Sequence, residues 1–197
     1  MPLQPELRVT GSFDLEAVVA RYPRHYVVKG MFCNRLVDLL GEDFAALMPQ
    51  LSAPPRNGRY LAFNDYPAGD YTRLAVASAA KHFSAHGMSE AVRRVAREDF
   101  AAFASSTWGK VALTLVGDPH TALLHMPEAF ARVAPGPELR AEELSTKSVR
   151  MTLLRYFGLV EYMLGQLEGV VLAFGAQPTI TIRQHARDHF SFEIEHP

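Results

Sequence analysis

The 197-residue chain has one cysteine, one tryptophan, and no apolar run approaching the roughly 18 residues that a membrane-spanning helix needs. A lone cysteine cannot form an internal disulfide, so nothing argues for an oxidising compartment. Charge of neither sign dominates. Twenty Lys and Arg face 21 Asp and Glu, which leaves a net charge of −1 and no basic footprint for nucleic acid. The opening "MPLQPELRVTGSFDLE" lacks a basic segment followed by an apolar one, so no secretory leader is expected. These absences predict a soluble cytoplasmic protein.

Catalytic signatures are missing as well. There is no GxSxG, no GxxxxGK[ST] and no GxGxxG, and the glycines of "GKVALTLVGD" are too far apart to cradle a phosphate. Asp65 and Asp70 straddle a turn, and Asp70 most simply caps a helix, so no carboxylate pair is set up for acid–base work. Trp108, Phe100 and Phe103 have no basic stripe beside them and read as core rather than as a base-stacking platform. The expectation is a protein that is not an enzyme.

What is present is apolar periodicity, in a chain that is 48% hydrophobic and long enough to bury one sizeable core. Residues 1–197 read as a single domain: an arm over 1–11, a helical part over 12–134 and a sheet-forming part over 138–196. "SFDLEAVVARYP" predicts a short helix capped by Ser12 or Asp14. In "VVKGMFCNRLVDLL", Cys33, Leu36, Val37 and Leu40 follow i, i+3, i+4, i+7, which turns the cysteine inward. A helix is expected from about Asp70 to Ala85, ended by Gly87. The next is capped by Ser89, with Val92, Val95, Ala96, Phe100 and Phe103 on its apolar side. "TWGKVALTLVG" reads as a buried helix. Asp118 and Pro119 start another, which Pro127 should kink or divide.

After "APGP" the period changes. "ELRAEELSTKSVRMTLLRYF" reads as two strands turning near "STKS". "GLVEYMLGQLEGVVLAFG" puts Leu159, Met163, Leu167, Val170, Val171 and Phe174 on one helical face. Ile180 and Ile182, then Phe190, Phe192 and Ile194, alternate as in a hairpin. Helices first and a segregated antiparallel sheet after them make an α+β domain with β-β-α-β-β order.

Eight histidines invite a search for metal sites. His82 and His86 stand at i, i+4, the spacing of two zinc ligands, but no local third ligand accompanies them, and a histidine in a last helical turn is favoured by the helix dipole alone. No metal is expected, with these two as the weak candidates. His185 and His189 flank a hairpin turn and read as a solvated tip. His120 falls in a first helical turn, where exposure is expected. His125 precedes Pro127 in an apolar segment and reads as a core or half-buried histidine.

"YVVKGMFCNRLVDLLG", "YLAFNDYP..DYTRLAVASAA", "FASSTWGKVALTLVGDP", "EYMLGQLEGVV" and the closing hairpin resemble a myxobacterial paralogous family of unknown function. That family looks like a divergent branch of the fold group that holds the haem nitric-oxide/oxygen-binding domains, the vinyl-reductase-type domains and the TRAPP subunits. The resemblance implies a helical first part and a four-stranded antiparallel sheet with one helix between the strand pairs. "GQLEG" (Gly165 to Gly169) resembles the glycine–glutamate–glycine pattern of that inserted helix. Counting back, the haem-propionate positions would be Leu153, Arg155 and Phe157, and none carries the expected residue. His125 falls near the expected iron-ligand position. With no clamp for two buried carboxylates, haem is not expected. The TRAPP likeness raises Cys33 as an acyl-accepting or ligand-contacting residue, and dimerisation through the helical face.

The expected function is therefore a non-enzymatic small-molecule-sensing or adaptor domain of a bacterial regulatory system. Its site would lie between helices and sheet, with Cys33, His125 and Trp108 as the candidate ligand contacts. A homodimeric interaction module and a haem gas sensor using His125 are the alternatives. The partners in view are a small apolar ligand, a second copy or another protein, with no nucleic acid and no membrane span.

Overall fold

The computed structural model describes residues 14–105 and 107–197, without the side chains of 105, 107–109 and 112. The expected arm lies outside the described residues.

Helix α1 (Leu15–Val19) begins at Asp14, whose carboxylate accepts the Ala17 N–H at 3.1 Å. A short strand, β1 (Val27–Lys29), then leads directly into α2 (Gly30–Leu40). The apolar stripe of α2 behaves as its spacing predicts: Cys33, Leu36, Val37 and Leu40 are all buried. A short helix, α3 (Phe44–Leu47), and a long loop lead to β2 (Asp65–Pro67), which pairs antiparallel with β1 and sets Lys29 2.7 Å from Asp65.

Helix α4 (Ala68–Phe83) starts earlier than the sequence suggests. Asp70 is not its cap. It lies inside the first turn, almost fully buried, and its two oxygens accept the N–H groups of Ser52 and Ala53 at 2.8 Å each. A carboxylate that satisfies two loop amides pins the α3–β2 loop against α4. Helix α5 (Met88–Ser105) follows Gly87, whose φ of +72° suits a residue without Cβ, and takes Ser89 inside its first turn. Helix α6 (Thr107–Val116) is not buried as expected: Val111 and Leu115 are 51% and 83% exposed. Helix α7 (Pro119–Val133) is capped by Asp118, which accepts the Thr121 N–H at 2.9 Å. Pro127 lies within it without dividing it.

The second part runs β3 (Glu138–Ser145), β4 (Ser148–Leu154), α8 (Val160–Leu172), β5 (Thr179–Ala186) and β6 (His189–Glu195). The four strands form one antiparallel sheet in spatial order β3-β4-β6-β5. Val149, Met151 and Leu153 of β4 and Phe192 and Ile194 of β6 are fully buried, as the period-2 alternation requires. With Leu123 of α7 and Met163 and Leu167 of α8 they make one core. A second core lies among α1 to α5.

Helices α5 and α8 join the two cores, and "GQLEG" explains how. A Cβ on Gly165 would collide with the Arg93 carbonyl and come within 2.8 Å of the Ala96 Cβ; one on Gly169 would lie 2.6 Å from the Phe100 Cβ. Two glycines at i, i+4 let the helices approach, and the buried Glu168 between them takes a two-pronged bond from the Arg93 guanidinium, with Nε at 3.0 Å.

Candidate functional site

Between the two cores lies a cavity of about 130 Å³. Its walls come from the α1–β1 segment, β1, the start of α2, α4, the second half of α7 and α8. Gly136 (φ +140°) lets the "APGP" segment cross the face of the Tyr26 ring, where any Cβ would strike the ring at 2.6 Å. The Val27 N–H donates to the Pro135 carbonyl at 3.3 Å, and this closes that side of the cavity.

The lining is aromatic, with Tyr22, Tyr26, Phe32, Tyr71, Phe130, Tyr156 and Tyr162, supplemented by the thioethers of Met126 and Met163. Each tyrosine hydroxyl is already engaged. Tyr26 donates to the Arg155 carbonyl at 2.8 Å and Tyr156 to the Leu159 carbonyl at 3.0 Å. Thr72 spends its hydroxyl proton on the Ala68 carbonyl, so Tyr22 is the donor in its 2.8 Å bond to Thr72. The Arg155 carbonyl is aimed by a backbone φ of +54°, a left-handed conformation that costs a non-glycine residue roughly 1 kcal/mol.

Tyr71 and Tyr162 meet at the α4–α5–α8 junction. Their oxygens are 2.5 Å apart, and both reach Asp99 Oδ2, at 3.3 and 2.9 Å. Two phenolic hydrogens are shared among these three contacts, with the Asp99 carboxyl as a common acceptor. Burial drives the Asp99 pKa up, against the lowering pull of the two tyrosines, Arg35 and Gln166. The same burial raises Tyr71, Tyr162 and Tyr156 well above the ordinary phenol value and Tyr22 to about 12, so all four are neutral walls.

The residues singled out from sequence fall elsewhere. Cys33 is fully buried in the helical core, and the cavity lining includes its neighbour Phe32 but not the cysteine. Burial pushes its thiol up to about 12, with Asp70 and Asp99 adding to the rise. His125 is exposed on the outer side of α7, while Met126 and Phe130 of the same helix line the cavity. The expectation of a core or half-buried histidine fails there, because the ring falls on the solvent side of the helix. The Trp108 side chain lies outside the described residues. His82 is bonded to the Leu39 carbonyl at 2.8 Å and His86 is exposed. His120 is not free in solvent: its Nδ1 lies 3.1 Å from Nε2 of the buried His196. No cluster of three or more metal-ligating side chains occurs among the described residues.

Haem does not fit this lining. Among the described residues the cavity has no histidine, no cysteine and no cationic side chain. Leu153 is buried in the sheet core, Arg155 is exposed and bonded to Glu138 at 3.1 Å, and Phe157 packs on Tyr26 at 5.8 Å between ring centroids. Two propionates would enter without partners, and burying unpaired charge is costly.

Sequence reasoning missed the tyrosines. Their signal was weak because Tyr22, Tyr26 and Tyr156 lie outside helices and strands, where no periodicity marks a residue as inward.

The architecture is that of the haem nitric-oxide/oxygen-binding (H-NOX) fold. The chain is similar to the Fe(II) unliganded H-NOX protein from K. algicida, with 16% identity over 86% of this chain and 96% of that one and a TM-score of 0.64. It is also similar to the H-NOX domain from Shewanella oneidensis in its Fe(II)CO state, with 15% identity over 86% and 98% and a TM-score of 0.67. A mutant T. tengcongensis H-NOX gives 15% identity over 85% and 97% at 0.63. Likeness at this identity establishes the fold. No curated protein matches the chain in sequence. Residues 21–195 match the model of the protein family of unknown function DUF2378, and the chain belongs to that family.

Proposed function

We propose that this chain is a non-enzymatic small-molecule-sensing domain of a bacterial regulatory system, with its ligand held in the cavity between the helical part and the sheet and without haem. The observation that carries the reading is the cavity itself, a gap between two well-packed cores whose lining hydroxyls are all engaged within the protein. Protein interiors otherwise close such gaps. The H-NOX likeness supports a sensing role, because the solved relatives present iron-bound small ligands on the same architecture. The test is native mass spectrometry of the gently purified chain, together with its absorbance after incubation with haemin. A retained small molecule and no stoichiometric Soret band are expected. A tight one-to-one haem complex overturns the reading.

The exposed Val111 and Leu115 of α6 favour a second reading, a homodimeric interaction module. A Leu115→Glu variant that turns a dimer into a monomer in light scattering would support it.

A further inference from the structure

We infer that the ligand of this cavity is an uncharged single-ring aromatic molecule that brings no hydrogen-bond acceptor of its own; this rests on the ligand-binding reading above. Three observations converge. The first is size. The cavity of about 130 Å³ is close to an apolar cavity of roughly 150 Å³ that takes up benzene or xenon, which limits the occupant to about one ring. The second is wall chemistry. Seven aromatic residues with Met126 and Met163 line the space beside aliphatic ones, and rings and thioethers pack preferentially on the edges and faces of another ring.

The third is the account of hydrogens. Tyr22, Tyr26, Tyr71, Tyr156 and Tyr162 each donate into the protein: to Thr72, to Arg155, into the Asp99 triangle and to Leu159. Gln166 donates to the Ala96 carbonyl at 3.1 Å. No donor is left for a polar ligand, and among the described residues no cation lines the space to receive an anion. A hydrogen-bond acceptor entering there leaves water without gaining a donor, which weakens binding on the order of tenfold or more.

The experiment titrates the full chain with benzene, toluene, benzonitrile and benzoate, reading the methyl resonances of 13C-labelled methionines. Benzene and toluene should shift the Met126 and Met163 methyls saturably, benzonitrile on the order of tenfold more weakly, and benzoate not at all. Ala75→Leu, which fills the cavity, should abolish the shifts. If that variant does not fold, the two methyl signals of the unmodified chain still decide. Tighter binding of benzonitrile or benzoate than of benzene overturns the ligand class and leaves the ligand-binding reading standing. So does silence toward all four probes when native mass spectrometry shows a different retained molecule. Silence toward the probes with nothing retained removes both.

Discussion

Asp99 shows how much one buried carboxyl governs in this chain. In the unfolded protein it titrates near its ordinary value of about 4; in the fold, burial raises its pKa above that. Below about pH 4 both states are protonated and the residue adds no pH dependence. As pH rises from there toward the raised folded value, the unfolded chain releases its proton first, so stability falls, and above the folded value the loss is complete. An Asp99→Asn variant should lack that decline, so its urea midpoint should gain on the wild type as pH rises above about 4. Tyr60 offers a simpler case. Its buried hydroxyl has no partner among the described residues, so Tyr60→Phe should be neutral or stabilising by up to about 1 kcal/mol in denaturant unfolding. Cys33 should react slowly with a thiol reagent in the native state and quickly in denaturant; fast native labelling would contradict its burial. The inward turn of Cys33 and the capping by Asp118 were legible in sequence because each depends on residues within one or two helical turns. Asp70, His120 and His125 were misjudged because their partners or exposure are set by segments far along the chain, such as the 52–53 loop for Asp70 and the last strand's end for His120.

At the level of elements, the α5–α8 contact is the most sensitive joint. Gly165→Ala should destabilise by about 1–3 kcal/mol, because its Cβ meets backbone that cannot move aside as a side chain could. Leu115→Ser on α6 should stay within about 0.5 kcal/mol, as expected for a side chain mostly in water. Thermal melts of both variants separate a packed helix from an outlying one. Amphipathic spacing located α2, α5 and α8, alternation located β5 and β6, and the loss of helical rhythm located β3 and β4. Periodicity failed on α6, where Val111 and Leu115 lie in solvent, and on the three-residue strands β1 and β2, which are too short to show a period. Pro127 was expected to kink or divide α7, and it does not divide it: the packing of Leu123, Met126 and Phe130 on the inner side offsets a single lost hydrogen bond.

For the molecule as a whole, the α+β class followed from helices giving way to strands after "APGP", and family membership from quoted segments spread along the chain. The cavity was not legible, because a space between two cores has no sequence of its own. It consists of what the surrounding residues fail to fill. That the helical core and the sheet core share so few elements has a consequence for motion. Each half has its own bed of buried residues, and the tyrosine-walled gap falls on the line where they meet. A molecule lodged on that line ties the halves together, so its arrival should slow amide hydrogen exchange in α4 and β4 alike, though they belong to different halves and only α4 borders the gap. The protein would thus report occupancy by stiffening along a seam, with no need for any part of it to change shape.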